Sequence, residues 1–376
     1  MNNRISIGSP GVTIPPMDNV ISQAVRSEEK GYDSIWWPDH LMGWIPQSIW
    51  TPDLFAIASY IQSPNIFLEA TTTIAAVASR TRQVTLGTAV VDAIRRHPAV
   101  LAQTIMTLDH IAKGRLIIGI GTGERENISP YGLPYDRLAE RVEEAIKIMH
   151  LLWKSNGSEV NYDGKFWKLK NAILDLPPFG EKPPQIWIAA HRKRMLQVTG
   201  RLGDGWLPIL MEKSEYQSAA EIVEKEARAV GRDSSAIKRG MWAWTLLDQD
   251  EEAAKRMLDS PFAKATALIL PSSTYEELGY EHPLGKEFYG LTDYVPNHYN
   301  RAEALSAIGK VPRQACERAF LFGTPQQVIR KIEEYRELGL QHIVLWNSTY
   351  FCDFTKLRDS FHCMDEILQH FKRSDK

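Results

Sequence analysis

The sequence predicts an α/β fold, a closed (β/α)8 TIM barrel with insertions at the C-terminal face of its strands. Short apolar runs alternate with segments of helical periodicity eight times along the chain. This alternation favours a parallel sheet. Eight such units in 376 residues favour a closed barrel over an open, doubly wound sheet. We therefore expect one domain over residues 1–376, with its catalytic side chains at the C-terminal ends of the strands.

The individual elements follow from apolar runs and from helix start and stop signals. Gly31 ends the first helix, Pro98 opens the third, Gly114 closes it, and the Thr324 to Gln327 segment has the pattern of a capping box. The predicted strands cover residues 4–8, 34–37, 84–91, 116–120, 185–189, 205–207, 238–247 and 342–345. The predicted helices cover residues 17–30, 68–79, 98–112, 136–153, a segment ending at 202, 214–231, 325–338 and 354–370. A hairpin over residues 159–174 is expected as an insertion.

The composition narrows the class of protein. The formal net charge is −2 and basic and acidic residues are mixed, so no nucleic-acid partner is expected. The first residues lack the apolar core of a secretory signal, and no apolar run is long enough to span a bilayer. The three cysteines have no metal-ligand spacing. We expect a cytoplasmic enzyme with free thiols, no metal, and a small-molecule substrate.

A candidate reaction centre follows the second predicted strand. Pro38 ends this strand, and Asp39, His40 and Trp44 come next. An imidazole can exchange a proton near neutral pH, and a neighbouring carboxylate can select its tautomer. An indole offers a flat apolar wall and one N–H donor. The alternative is a strand cap, Asp39, beside a surface histidine.

A glycine-rich turn, residues 119–123, follows the fourth predicted strand and leads into Glu124. Glycines allow the backbone to approach a flat ring or a phosphate closely. Glu124 occupies the place of the third glycine of G-x-G-x-x-G, which disfavours a Rossmann dinucleotide site. A partly desolvated carboxyl at a barrel mouth could hold or donate a proton. The alternative is a tight turn whose glycines are structural.

Five motifs, in this order, resemble the bacterial-luciferase-like superfamily of flavin and deazaflavin enzymes, and within it the branch that uses coenzyme F420. They begin at Trp37, Gly87, Arg96, Gly119 and Gly200. Their sequences are Trp-Pro-Asp-His, Gly-Thr-Ala-Val-Val, Arg-His-Pro-Ala-Val, Gly-Ile-Gly-Thr-Gly-Glu and Gly-Arg-Leu-Gly-Asp-Gly. The resemblance covers most of the chain outside residues 259–315. It implies an oxidoreductase that transfers a hydride to or from the deazaflavin.

The resemblance assigns roles to the candidate reaction centre. His40 and Glu124 match the catalytic histidine and acid of the family. Trp44 matches the indole beside the reacting carbon. Ala89 and Val90 match a non-prolyl cis peptide that bulges behind the cofactor ring. His40 is therefore expected to exchange a proton with the substrate oxygen, and Glu124 to balance charge near N1 of the ring.

The resemblance also implies cofactor contacts outside the reaction centre. Asp92 stands where sugar-phosphate-oxidising relatives have a threonine, and His191 and Arg192 stand where many relatives have two glycines at the cofactor phosphate. Arg192 could supply positive charge there, aided by a helix N-terminus; the alternative is a solvated helix start. The full set of implied cofactor-binding residues is Asp39, Ala89, Val90, Asp92, Thr122, Gly123, Asn127, His191 and Arg192.

The substrate is expected to be apolar. Glu212 occupies the place of a lysine found in glucose 6-phosphate-oxidising relatives, although Arg318 matches another of their phosphate contacts. The 123–132 segment most resembles the mycobacterial phthiodiolone ketoreductases, which reduce a lipid ketone. Apolar and aromatic side chains are available at the predicted mouth, namely Trp44, Ile45, Ile49, Trp50, Tyr289, Tyr294 and Tyr299.

Two alternatives to an F420-dependent ketoreductase-like enzyme stay open. One is an FMN-dependent monooxygenase on the same barrel. The other is a non-catalytic deazaflavin- or flavin-binding protein, which the presence of both His40 and Glu124 disfavours. We also expect a homodimer.

Residues 259–315 interrupt the regular alternation after the seventh predicted strand and are rich in proline and aromatic residues. A connection that leaves a barrel strand at its C-terminal end starts on the catalytic face. We expect an insertion that acts as a semi-ordered lid over an apolar pocket. The alternative is a subunit contact.

Overall fold

The structure is a computed structural model and describes residues 4–373. Its strands are β1 (Ser6–Pro10), β2 (Ser34–Trp37), β3 (Thr85–Thr88), β4 (Val91–Asp92), β5 (Leu116–Gly121), β6 (Val160–Asp163), β7 (Lys168–Ala172), β8 (Gln185–Ile188), β9 (Gly205–Trp206), β10 (Lys238–Leu247), β11 (Phe320–Gly323) and β12 (His342–Asn347). Its α-helices are α1 (Met17–Lys30), α2 (Ala70–Ala78), α3 (Pro98–Ala112), α4 (Leu138–Lys154), α5 (Lys193–Leu202), α6 (Lys213–Ala229), α7 (Glu251–Met257), α8 (Pro261–Ala267), α9 (Ser272–Glu277), α10 (Arg301–Gly309), α11 (Arg313–Ala319), α12 (Pro325–Glu337), α13 (Thr349–Cys352) and α14 (Leu357–Arg373).

The parallel strands close into a barrel, which confirms the predicted fold class. The order around the barrel is β1-β2-β3-β5-β8-β9-β10-β12, and β12 pairs again with β1. Two further parallel strands lie outside this circle, because β4 pairs with β5 and β11 extends from β10. The predicted insertion hairpin is the antiparallel pair β6–β7. No helix of the described residues is long and apolar enough to cross a membrane.

Several predicted elements agree with the structure residue for residue, namely α1, β2, α3 and β10. Residues that start and stop helices account for the agreement at helix ends. Gly31 takes the left-handed conformation after α1, and Thr324 and Gln327 form the expected capping box at α12. A local signal of this kind requires no knowledge of distant partners.

Three predictions about strands were wrong. The first strand covers Ser6–Pro10 instead of residues 4–8, because its register is set by pairing with β12 and β2. The predicted strand over residues 84–91 is two strands, β3 and β4, separated at Ala89 and Val90. The strand β11 was not predicted, since only its pairing with β10 distinguishes this short apolar run from the helix before it.

Indole side chains fill the interior of the barrel. Trp36, Trp187 and Trp242 form an apolar cluster in which the ring centroids of Trp36 and Trp187 are 5.5 Å apart. Neighbouring strands make room for these rings with glycine. A Cβ atom at Gly87 would overlap the Trp36 ring, and one at Gly205 would lie 2.5 Å from the Trp187 ring. The barrel is therefore a packed core, and its open end is where the strands terminate.

Residues 259–315, the insertion expected as a lid, form a layer of short helices and loops. They contain α8, α9 and α10 and the start of α11. Their aromatic side chains belong to a second apolar cluster, in which Phe262 and Tyr294 are buried together with Trp44 and Trp50 from the loop after β2. Because side chains of this layer and of the loop after β2 share one apolar cluster, packing attaches the layer to the barrel mouth.

Candidate active site

A histidine and a carboxylate meet at the C-terminal end of the barrel strands. His40 follows β2 and Glu124 follows β5, and His40 Nε2 lies 3.1 Å from Glu124 Oε2. Both side chains are largely shielded, with 13% and 25% of their surfaces exposed. The other ring nitrogen of His40, Nδ1, is buried and has no hydrogen-bond partner within residues 4–373. The pair therefore leaves one buried imidazole nitrogen without a hydrogen-bond partner in the described part of the chain.

Asn127 connects the two loops that carry this pair. Its Oδ1 accepts hydrogen bonds from the backbone N–H groups of Leu41 (2.7 Å) and Met42 (2.9 Å). Its Nδ2 donates to Glu124 Oε2 at 3.0 Å. Asn127 thus orients the carboxylate and fixes the chain directly after His40.

Asp39 is anchored by two arginines. Its carboxylate is 3% exposed and accepts from Arg95 Nη2 at 2.7 Å and from Arg96 Nη1 at 2.6 Å. Arg95 also pairs with the buried Asp92, and Arg96 pairs with Glu69. These bonds hold the end of β2 against the segment after β4, so the backbone that presents His40 is fixed from two sides.

Glu69 is the partly exposed end of this charge network. Burial opposes its negative charge. Hydrogen bonds from the Thr72 backbone and from the Thr71 and Thr72 hydroxyls nevertheless combine with Arg96 to lower the pKa of Glu69 to about 2. The carboxylate therefore stays ionised throughout the neutral range and keeps Arg96 in place.

A bulge between β3 and β4 packs against the glycine-rich strand β5. The Ala89–Val90 peptide bond is cis, in the form implied by the family resemblance. A Cβ atom at Gly119 would overlap the Thr88 carbonyl oxygen, and one at Gly121 would lie 2.8 Å from Val90 Cγ2. Glycine is thus needed on β5 for the bulge to approach, and Ala89 and Val90 form an apolar surface that packs against the indole cluster of Trp36, Trp187 and Trp242.

Trp44 stands in an aromatic wall beside this surface. Its ring centroid is 5.9 Å from that of Trp244 and 5.7 Å from that of Trp346, to which it is perpendicular. The indole N–H groups of Trp44 and Trp244 are both buried without a hydrogen-bond partner in the described part of the chain. The wall is therefore an apolar cluster that contains two unpartnered N–H groups.

Two of the remaining predicted cofactor-binding residues, His191 and Arg192, contact other protein groups. His191 Nε2 accepts from the Ile209 backbone N–H at 3.1 Å. Arg192 occupies the N-cap position of α5 without a side-chain capping bond, and its guanidinium lies 4.7 Å from the centre of the Tyr289 ring. Gly123 takes a left-handed conformation with φ of 77°, and Thr122 beside it is partly exposed. These residues surround the mouth, whereas Asp39 and Asp92 lie under it in ion pairs.

Sequence reasoning missed several residues of the site. Arg95 and Arg96 are two consecutive arginines after a strand, which is a signal visible in the sequence. Trp244 lies within the apolar run of β10, where no local pattern distinguishes it from other core residues. Glu126 was overlooked because a single acidic residue between Glu124 and Asn127 has no distinguishing pattern.

The fold and the site define the class of the protein, a (β/α)8-barrel enzyme with a histidine–carboxylate pair at its mouth. A family model described as "Luciferase-like monooxygenase" matches residues 3–342. The chain therefore belongs to the luciferase-like family, as the motifs predicted, and it is an oxidoreductase.

Two curated relatives cover most of the chain. One is the phthiodiolone/phenolphthiodiolone dimycocerosates ketoreductase of Mycobacterium kansasii, which is 37% identical over 331 residues, 87% of this chain and 90% of the relative. Another is the F420-dependent glucose-6-phosphate dehydrogenase of Nakamurella multipartita, 30% identical over 332 residues, 85% of this chain and 84% of the relative.

Solved structures share the fold at low sequence identity. An F420-dependent secondary alcohol dehydrogenase in complex with an F420–acetone adduct aligns with a TM-score of 0.74 at 22% identity, covering 97% of this chain and 99% of that one. The coenzyme F420-dependent tetrahydromethanopterin reductase of Methanopyrus kandleri aligns with a TM-score of 0.75 at 20% identity, covering 98% and 99%. A long-chain alkane monooxygenase has a TM-score of 0.70 at 15% identity, covering 100% and 92%.

Replacing Asp39 by Asn tests the anchoring of the β2 end. The substitution keeps the shape of the side chain and removes the charge of the buried carboxylate, while Arg95 keeps Asp92 and Arg96 keeps Glu69 as acidic partners. Because two charge-assisted hydrogen bonds to Asp39 are weakened, we expect the free energy of unfolding in urea to fall by about 3 kcal/mol.

The matched control is Asp53→Asn, since Asp53 forms an exposed ion pair with Arg301 at 2.8 Å. Exposed pairs contribute little to stability, so the unfolding midpoint of this control should not move. Equal midpoints for the two variants would contradict the anchoring role of Asp39.

Proposed function

We propose that the protein binds coenzyme F420 and transfers a hydride between the deazaflavin and a carbonyl or alcohol carbon of an apolar substrate. The observation that carries this proposal is the shielded His40–Glu124 pair, with Nδ1 of His40 unpaired, beside the bulge at Ala89 and Val90. The names of the relatives support it, because the two curated ones are a ketoreductase and an F420-dependent dehydrogenase.

The residues at the mouth fit a flat cofactor ring. The surface at Ala89 and Val90 is apolar, and glycines at 119 and 121 let it lie flush with β5. Thr122, Gly123 and Asn127 would hold the ring side, and His191 and Arg192 the phosphate side, where the N-terminus of α5 adds favourable dipole charge. Bound there, the cofactor supplies the hydride chemistry, and the protein supplies orientation and proton control.

The proton chemistry belongs to His40. In this proposal the His40 imidazole exchanges a proton with the substrate oxygen. Glu124 lies 3.1 Å from Nε2 and fixes the orientation of the ring. The role of Glu124 in balancing charge near N1 of the ring stays a prediction. Trp44 would pack against the reacting carbon and exclude water.

The substrate is proposed to lack a phosphate group. Arg318, which matches a phosphate contact of sugar-phosphate-oxidising relatives, is surrounded by carboxylates from Glu212 (3.1 Å), Glu277 (3.0 Å) and Glu215 (3.7 Å). A phosphate at this position would meet three negative charges and would have to break existing ion pairs. The aromatic wall at Trp44 favours an apolar ketone or alcohol.

Titration of the purified protein with coenzyme F420 and, separately, with FMN tests the proposed cofactor. We expect saturable quenching of deazaflavin fluorescence, with FMN binding at least about tenfold weaker, a difference of about 1.4 kcal/mol. Preferential binding of FMN would favour the monooxygenase alternative. Binding of F420 without reduction of any apolar ketone would favour the non-catalytic alternative.

Replacing His40 by Asn separates catalysis from binding. Asparagine keeps a polar side chain near Glu124 but cannot exchange a proton at neutral pH. We expect kcat to fall roughly 10²–10⁴-fold, while the dissociation constant for F420 stays within about threefold of wild type. Phe67→Leu, which changes only the ring packed 5.3 Å from His40, is the control and should lower kcat far less. Wild-type turnover by His40→Asn would contradict the assignment.

We propose further that residues 259–315 cover the substrate pocket. Arg125, directly after Glu124, donates to the Thr292 carbonyl at 2.8 Å, and Arg192 lies over the Tyr289 ring. Both contacts join the insertion to the rim that carries the candidate cofactor residues. Water exclusion by such a cover favours hydride transfer. The alternative is that this layer is the contact of the expected homodimer.

Tyr289→Ala tests the cover without disturbing the buried side chains of the layer. The substitution removes the cation–π contact between Arg192 and Tyr289, so the rim should hold the insertion less tightly. We therefore expect KM for an apolar ketone to rise about threefold to tenfold, with kcat little changed. Tyr280→Ala, at another exposed tyrosine of the same insertion, is the matched control. Unchanged kinetics with loss of the dimer on gel filtration would identify a subunit contact instead.

A further inference from the structure

Glu126 is a buried carboxyl group inside the candidate active site that the proposed mechanism does not use. It lies in the 3-10 turn Arg125–Asn127, between Glu124 and Asn127, and is 0% exposed. Neither carboxylate oxygen has a hydrogen-bond partner of good geometry among the residues that the structure describes, and the nearest polar groups are the Glu124 carboxyl and the backbone N–H of Glu126 itself. An ionised carboxylate in such a position is very unfavourable, because it has lost its hydration without gaining partners.

The groups that face Glu126 add no positive charge to compensate it. Glu124 is the charged neighbour on the same turn, and the phenols of Tyr135 and Tyr294 also interact with the Glu126 carboxyl. Burial raises the pKa of each of these two phenols, so both remain neutral. The Arg125 guanidinium is directed elsewhere, to the Thr292 carbonyl and over the Tyr135 ring, 4.9 Å from its centre.

Two causes act in the same direction on this carboxyl. Burial, and then the negative charge of Glu124, raise the pKa of Glu126 well above its ordinary value. Glu124, in contrast, is 25% exposed and has His40 and the Asn127 amide as partners.

We propose that Glu126 is a neutral carboxylic acid at neutral pH and acts as a positioning residue for the His40–Glu124 pair. By keeping its proton, it leaves Glu124 as the single negative charge beside His40. At alkaline pH Glu126 gives its proton to water, and a second negative charge then appears within one turn of Glu124. The catalytic part of this inference rests on the proposed function of His40, whereas the protonation of Glu126 does not.

The stability of the cofactor-free protein tests the protonation state. Because the pKa of Glu126 is raised in the folded state, its stabilising contribution is complete below the unfolded value of about 4.3 and is lost as pH rises through the folded value. Glu126→Gln retains the neutral shape and cannot ionise. We expect the ratio of its folding constant to that of wild type to grow by up to about tenfold per pH unit from about pH 5 upwards.

The control for this measurement is Glu281→Gln, an exposed position in the insertion, whose folding-constant ratio should stay flat with pH. A flat ratio for Glu126→Gln as well would overturn the proposal. Infrared spectra of wild-type protein with carboxyl-labelled glutamate give the same information without a substitution. A protonated-carboxyl band at neutral pH that disappears on alkaline titration is expected, and its absence would also overturn the proposal.

The positioning role is tested by the NMR signal of the His40 ring in cofactor-free protein, assigned with His40→Asn. In wild type we expect a second inflection on the alkaline side, at the pH where Glu126 ionises, and no such inflection in Glu126→Gln. Identical titration curves would reduce Glu126 to a structural group and overturn the role. Since neither experiment contains cofactor, a failure of F420 binding would refute the proposed function and leave these results interpretable.

Discussion

The candidate site depends on the side chain of Asn127, which links the loops after β2 and β5. It accepts from the backbone N–H groups of Leu41 and Met42 and donates to Glu124, whose carboxylate reaches His40. The result is a closed ring of hydrogen bonds in which the position of His40 relative to Glu124 follows from one amide. Because the amide both donates and accepts, neither an aliphatic nor an acidic side chain can replace it.

Charge is arranged in two levels around this ring. Below the mouth, Asp39 and Asp92 share Arg95, so the end of β2 is fixed by compensated charge. At the mouth, His40 and Glu124 are largely shielded, and the buried Glu126 has no hydrogen-bond partner of good geometry within residues 4–373. A low local dielectric strengthens each remaining interaction, which would suit the proposed proton transfer at His40.

Much of the fold was predictable because its signals are local. The sequence alone predicts the ends of three helices, α1, α3 and α12, and the apolar runs of two strands, β2 and β10. The division of β3 from β4 and the existence of β11 depend on strand pairing, which no local pattern encodes. Within the candidate site, the positions of His40 and Glu124 directly after two strands predict that both lie at the barrel mouth. The anchoring by Arg95 and the burial of Glu126 depend on contacts between separate loops, which no local pattern predicts.

The central claim, hydride transfer to a carbonyl carbon at the His40 site, is tested most directly with isotopes. A single turnover of an apolar ketone with reduced coenzyme F420 that carries deuterium at both C5 positions should place one deuterium on the carbinol carbon of the product and leave the other on the oxidised cofactor. Mass spectrometry and NMR of that alcohol locate the label. Release of the deuterium to water, or incorporation of oxygen from O2 into the product, would contradict the account.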